Sequence, residues 1–261
     1  MFRRPSVIVA LLLALFLPPP ALAADDDHAL KQDAIDRLID SHDPALSVYI
    51  GRVYVKQTAL LTARELLAER GGNAGLSKNK WNAEVDGWKA AEAELMQGVD
   101  GIIERQVAKG EWVQAAWSAL AADTLKAEEA DEIAVHFQSE GGKLQRRVIE
   151  WFVGELTLQT YTFTDRMKYG VPGAEREMHD LQVVTYERMF HGIQDFTSYP
   201  DAMRFASTDP GVKYFKMMVT QGVHAVHSHL EQVAKEVRAL IRSRAARADR
   251  YIAEAVKASR G

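Results

Sequence analysis

The sequence contains no cysteine among its 261 residues. This absence excludes disulfide bonds, thiolate metal sites, thiol catalysis and haem attached through cysteine. It also excludes a lipid anchor attached through an N-terminal cysteine. The fold must therefore be held by its core without covalent cross-links.

Long apolar runs are scarce as well. The only extended one is Val7 to Leu17, which is shorter than the roughly 20 residues that a membrane-spanning helix needs. It follows Arg3 and Arg4, and the segment Ala21-Leu-Ala23 has the small residues typical of a cleavage site. We interpret residues 1–23 as a signal peptide cut before Ala24, and we expect the mature protein in the periplasm or otherwise exported. No transmembrane segment is predicted in the mature chain.

Alternating strand patterns with turn signals are also missing, whereas helical spacing recurs along the chain. We predict an all-α bundle of about seven or eight helices. The apolar positions between Trp81 and Ile103 predict one long helix that ends near Lys109. Val223 to Leu240 shows apolar spacings of three and four, which fit a packed bundle helix.

A strong helix breaker, Gly170-Val-Pro-Gly173, suggests a boundary inside the mature chain. It divides an N-terminal helical part, residues 24–170, from a C-terminal helical part, residues 171–261. The alternative is that the two parts form one domain.

Two helix breaks resemble each other, which predicts a weak internal helix-turn-helix repeat. Ser139 and Gly142 in the first break correspond to Thr208 and Gly211 in the second, 69 positions later. A hydroxyl residue at this place can cap the next helix, and glycine permits close packing or an unusual backbone conformation. We therefore assign these four residues a structural role.

The two breaks, His136 to Gly142 and Phe205 to Gly211, resemble the motif of an exported bacterial family called domain of unknown function 2059. That motif has an apolar helix, an aromatic pair, a Ser-Pro-x-Gly break and a new helix. Here Glu140 and Asp209 stand where the family has proline, and Ala206 replaces an aromatic residue. The resemblance implies an exported helical protein and supplies no activity.

Familiar catalytic motifs are absent from the sequence. Lys143 follows two glycines, but Phe137 and Leu144 occupy the positions where a phosphate loop needs glycine and a hydroxyl. A nucleophile elbow fails as well, because Phe137 replaces its first glycine. A hydrolase with a triad assembled from distant segments remains the third functional alternative.

A metal site is the second alternative, and it would use His224, His227 and Glu231. These residues share one stripe of a helix, but His224 and Glu231 are roughly 10 Å apart along its axis. One divalent transition metal ion could bind His224 with His227, or His227 with Glu231. Because the neighbouring valines face the core, we favour a solvated polar face with weak metal binding at most, and we expect no cofactor.

Charge is uneven along the chain, whose net charge is −4. Residues 235–261 carry eight lysines or arginines and three acids. A solvated helix face that balances an acidic body is the favoured explanation. Contact with an anionic membrane surface is the alternative, and nucleic acid is not an expected partner of an exported protein.

Together, these patterns favour a non-enzymatic envelope protein that acts as a binding or interaction module. Its ligand or protein partner does not follow from the sequence.

The signal peptide can be tested directly. Mass spectrometry of the protein from its native fraction should find Ala24 as the first residue. Met1 retained in a cytoplasmic fraction would show that the interpretation is wrong.

Overall fold

The computed structural model describes residues 22–157 and 197–260, together with the helical positions 179, 183, 187, 191, 192, 194 and 195. These residues form helices and no strands, so the all-α bundle is confirmed. Most of the predicted signal peptide and the predicted boundary at Gly170 to Gly173 lie outside the described residues.

The helices are numbered here in chain order. They are α1 (Leu22–Asp40), α2 (Ala45–Asn73), α3 (Asp86–Met96), α4 (Val99–Gln106), α5 (Glu111–Thr124), α6 (Ala127–His136), α7 (Glu140–Thr157), α8 (Pro200–Phe205), α9 (Asp209–Met217), α10 (Val223–Ser243) and α11 (Asp249–Arg260). A π-helical turn, Met218–Gly222, joins α9 to α10, and a 3₁₀ turn, Ala245–Ala248, joins α10 to α11.

The core is centred on α10, which packs against α2, α4, α5 and α7. The apolar stripe of α10 is buried, as its spacing of three and four predicts. One hydrophobic cluster runs from Ala34 to Ile252 and includes buried residues before position 170 and after position 171. Both predicted parts of the chain therefore contribute to the same core.

The single helix predicted up to Lys109 is wrong. The chain forms a loop up to Val85, and Gly98, with φ of 77°, then separates α3 from α4. Trp81 lies in that loop, and its indole N–H donates to the carbonyl oxygen of Leu67 at 2.9 Å. The loop therefore folds back on α2, and Trp81 packs against Trp88 with ring centroids 5.5 Å apart.

The two helix breaks have the same local geometry. Gly142 N–H donates to Ser139 Oγ at 3.0 Å, and Gly211 N–H donates to Thr208 Oγ1 at 3.2 Å. Each hydroxyl thus accepts a hydrogen bond from the first turn of the helix that follows.

The reason for glycine is also the same in both breaks. A Cβ on Gly142 would lie 2.0 Å from the carbonyl oxygen of His136, and one on Gly211 would lie 2.1 Å from that of Phe205. Neither glycine has a positive φ. The close approach is therefore to the end of the preceding helix, rather than to a separate packed helix.

The two breaks also pack against each other. The ring of His136 stacks on that of Phe205, its counterpart 69 positions later, with centroids 3.9 Å apart and planes 14° apart. Ser139 Oγ donates to Asp201 Oδ2 at 2.6 Å. We call this contact between α6–α7 and α8–α9 the helix junction. Among the described helices, none is long and apolar enough to cross a membrane.

The close contacts of the two glycines lead to a prediction about stability. Gly142→Ala and Gly211→Ala should each lower the free energy of unfolding by about 1–3 kcal/mol, because the new methyl group collides with backbone. Ser139→Ala should cost about 0.5–2 kcal/mol through the lost cap. Thermal melts followed by circular dichroism would measure the differences.

Gly72→Ala provides the matched control. A Cβ on this helical glycine would meet nothing within 4 Å, so the same change should be neutral or stabilising. Melting temperatures for Gly142→Ala and Gly211→Ala that equal the parent's would rule out the proposed role of the close approach.

Candidate functional site: an apolar pocket at the helix junction

An apolar pocket of about 280 Å³ lies between α7, α8 and α9. We call it the junction pocket. One face of α7 forms a wall, because positions four and three apart along a helix share a side. The lining residues are Gln145, Val148, Ile149, Phe152, Phe205, Ala206, Gly211, Val212, Tyr214 and Phe215.

The pocket reaches the surface along α9. Val212 and Phe215 lie on its rim with 53% and 48% of their surface exposed. Phe205 and Ile149, in contrast, are buried in its wall. Large apolar side chains that stay exposed beside a cavity are typical of ligand-binding or interaction surfaces.

Gln145 is the buried polar side chain of the α7 wall, with 6% of its surface exposed. His136 Nε2 lies 2.8 Å from Gln145 Oε1. An amide oxygen only accepts hydrogen bonds, so His136 donates here. Gln145 corresponds to Tyr214 in the repeat, and both residues line the same pocket.

Tyr214 connects the pocket wall to a buried histidine. His42 Nδ1 lies 2.7 Å from the carbonyl oxygen of Leu38 and therefore donates to it. His42 Nε2 then accepts the hydroxyl proton of Tyr214. Burial lowers the pKa of His42 to about 4 and raises the pKa of Tyr214 well above its usual value. Both side chains are neutral at pH 7.

Aromatic rings surround His42. Its ring centroid lies 5.1 Å from that of Trp117, 6.0 Å from Phe137 and 5.9 Å from Tyr214. Desolvation by these rings disfavours the imidazolium form. The histidine is therefore a fixed hydrogen-bonding group in the core.

Glu150 lies on α7 behind the pocket wall and is only 4% exposed. The backbone N–H of Asp43 donates to Glu150 Oε1 at 3.2 Å, and Arg146 Nε lies 3.4 Å from the same oxygen without forming a good hydrogen bond. Burial raises the pKa of Glu150 to about 7, although Arg146 opposes the shift. This carboxyl group is thus partly protonated near neutral pH.

The three residues of the predicted metal site lie elsewhere, on α10. Tyr54 O–H donates to Glu231 Oε2 at 3.0 Å, and Arg238 pairs with the other oxygen. Burial lowers the pKa of the half-buried His227, whereas His224 is exposed. Within residues 22–157 and 197–260 and the single helical positions between them, no group of three or more His, Cys, Asp or Glu is arranged to hold a metal ion. Weak binding through two ligands stays a prediction.

The basic C-terminal helices face acids of the body. Arg250 Nη2 lies 2.9 Å from Glu94 Oε2, and Arg247 Nη1 lies 3.9 Å from Glu94 Oε1. In the opposite sense, Arg70 of α2 donates to both carboxylate oxygens of Asp249 of α11. The two pairs with Glu94 fit a solvated face that balances an acidic body, and contact with an anionic membrane stays a prediction.

Sequence reasoning missed the residues that the structure brings together at the pocket. His42, Gln145, Glu150 and Tyr214 come from three separated segments and belong to no motif. The one available signal was the repeat, because its offset pairs Gln145 with Tyr214.

Comparison with known proteins adds no relative. No family model matches the chain, and no curated protein or solved structure matches it. The resemblance of the two breaks to domain of unknown function 2059 therefore stays a prediction.

As the pH rises, the titrations of Glu150 and His42 should change the free energy of unfolding in opposite directions. The folded pKa of Glu150, about 7, is above its usual 4.5, so its contribution is complete below pH 4.5 and is lost as pH rises through 7. The folded pKa of His42, about 4, is below its usual 6.5. Its contribution is complete above pH 6.5 and is lost as pH falls through 4.

Glu150→Gln removes only the pH dependence of stability that comes from the Glu150 carboxyl group. The stability of this variant relative to the parent should rise between pH 4.5 and 7, by about 3 kcal/mol in full. Calorimetric melts across this range would measure it. Glu132→Gln, at an exposed position of α6, controls for the lost carboxyl group. A pH-independent difference for Glu150→Gln would mean that its carboxyl titrates normally.

Proposed function

We propose that this chain is a non-enzymatic binding module that holds a small apolar molecule in the junction pocket. The observation that carries the proposal is the pocket itself, whose lining within the described part of the chain includes no acid, base or cation. Binding pockets are typically apolar with few polar groups that orient the ligand, and Gln145 is such a group.

The volume of the pocket sets the size of the ligand. Ligand pockets commonly measure about 300–1,000 Å³, so 280 Å³ is near the lower limit. An engineered apolar cavity of about 150 Å³ in another protein binds benzene. A phenyl ring with a short alkyl chain is therefore a suitable size.

The rim gives a route of entry. Val212 and Phe215 are separated by one turn of α9 and are both about half exposed. A ligand passing between them would cover apolar surface that now faces water. The gain is about 25 cal/mol for each Å² of apolar surface removed from water.

The place of action is proposed from the N-terminal sequence. We propose that residues 1–23 direct export and that binding takes place in the envelope, as the resemblance of the two breaks also implies. The basic α10–α11 region is a further proposed contact with an anionic membrane surface.

The alternatives have less support. Glu231 of the proposed metal set is already bonded to Tyr54 and Arg238. The buried His42 is bonded to Leu38 and Tyr214, so its two ring nitrogens are engaged. A transition-metal protein and a hydrolase thus remain second and third.

Butylbenzene is a suitable first probe. It should bind the intact protein with a stoichiometry of one and raise its melting temperature, because a ligand that binds only the folded state stabilises it. At a free concentration of 100 times Kd the gain is about 2.7 kcal/mol. Ala206→Trp, at an exposed position of the pocket wall, should fill the pocket and abolish the shift.

Ala68→Trp is the matched control, since Ala68 is exposed on α2 and does not line the pocket. It should respond to butylbenzene like the parent. Equal shifts in all three proteins would indicate binding elsewhere, and no shift in the parent would refute the proposed function.

A further inference from the structure

We propose that the junction pocket selects a neutral ligand with a hydrogen-bond acceptor, such as a ketone, and that Gln145 binds this acceptor. The inference rests on the proposed function, because it names the ligand class of the same pocket. Three features of the described residues support it: the bonding of Gln145, the bonding of Tyr214 and the charges near the pocket wall.

Gln145 has an unused donor group. Its oxygen accepts from His136 Nε2, and the remaining amide nitrogen carries two N–H groups. No acceptor for this nitrogen is found among the described residues, and Gln145 as a whole is only 6% exposed. Gln145 Nε2 is not among the fully buried atoms without a partner, so it keeps some accessible surface. An acceptor on a ligand can therefore reach it and form a hydrogen bond that is partly shielded from bulk water.

Tyr214 does not offer a competing donor. Its hydroxyl proton is given to His42 Nε2, which has no proton of its own because His42 Nδ1 donates to Leu38. Tyr214 is also only 1% exposed. Among the described lining side chains, the donor that a bound molecule meets is therefore the Gln145 amide.

The charges near the pocket disfavour a carboxylate ligand. Among the described residues that line the pocket there is no lysine, arginine or histidine. Arg146, which neighbours Gln145 in sequence, is held within 3.4 Å of Glu150. A buried carboxylate would thus lack a cation, and an unpaired buried charge is strongly unfavourable.

A neutral carbonyl compound provides an acceptor for the Gln145 amide and brings no charge into the pocket. Its oxygen accepts from the Gln145 amide, and its apolar body contacts Ile149, Phe152 and Phe205 in the wall. A hydrocarbon of the same shape contacts the same apolar wall but leaves the N–H groups of the Gln145 amide without a partner. The pocket should therefore rank a ketone above the matching hydrocarbon, and the hydrocarbon above a carboxylate.

Three phenyl compounds test this order by titration calorimetry on the intact protein. Butylbenzene and butyrophenone share one skeleton and differ by a carbonyl in place of a methylene, and phenylbutyrate carries a carboxylate. We expect butyrophenone to bind about three- to tenfold more tightly than butylbenzene, which corresponds to one net hydrogen bond. Phenylbutyrate should bind most weakly.

Gln145→Met keeps an apolar side chain of similar length and removes the donor. In this variant butyrophenone and butylbenzene should bind with nearly equal affinity. His136 is only partly buried, so water can accept its proton when Gln145 is replaced. Phe215→Ala is the control on the rim. It should weaken the binding of both ligands and preserve the ratio of their dissociation constants.

The outcomes separate the two proposals. If butylbenzene and butyrophenone bind the parent equally, or if the ketone preference survives in Gln145→Met, the role of Gln145 is wrong while the pocket remains a binding site. Phenylbutyrate as the tightest ligand would also overturn the inference. If none of the three binds the parent, the proposed function fails as well. The comparison within the parent needs no variant, so it holds even if Gln145→Met does not fold.

Discussion

The contact between the two helix breaks is the constraint on which the candidate site depends. His136 stacks on Phe205, and these residues occupy corresponding positions of the repeat. Lys213 of α9 also pairs with Glu129 of α6 at 2.6 Å, partly out of solvent. Because α6–α7 and α8–α9 are held together in this way, Gln145 and Tyr214 come to line one cavity.

The polar groups near this cavity bond to one another. His136 donates to Gln145, Tyr214 donates to His42, and the Asp43 backbone donates to Glu150. Buried polar groups without partners are costly, so these bonds keep the junction specific. Within the described lining they also leave an apolar wall with one side-chain amide donor, which is the physical basis for proposing a neutral ligand.

Some of this arrangement could be predicted from the sequence. The hydroxyl and glycine of each break were assigned a structural role, and the described geometry contains both hydrogen bonds from Gly142 and Gly211. Such caps act within four residues, so local sequence contains the relevant information. The break at Gly98 was missed because glycine is also tolerated inside helices, and the position of Trp81 depends on its distant acceptor, Leu67.

The sequence by itself determined the all-α class and the buried stripe of α10, because helical periodicity decides which side chains can share a face. The absence of cysteine also determined that no disulfide supports the fold. Only the tertiary structure decided that Tyr214 would line a pocket and that His42 and Glu150 would be buried behind it. Their pKa values and hydrogen bonds depend on desolvation by distant segments, and no local pattern in a sequence reports that desolvation.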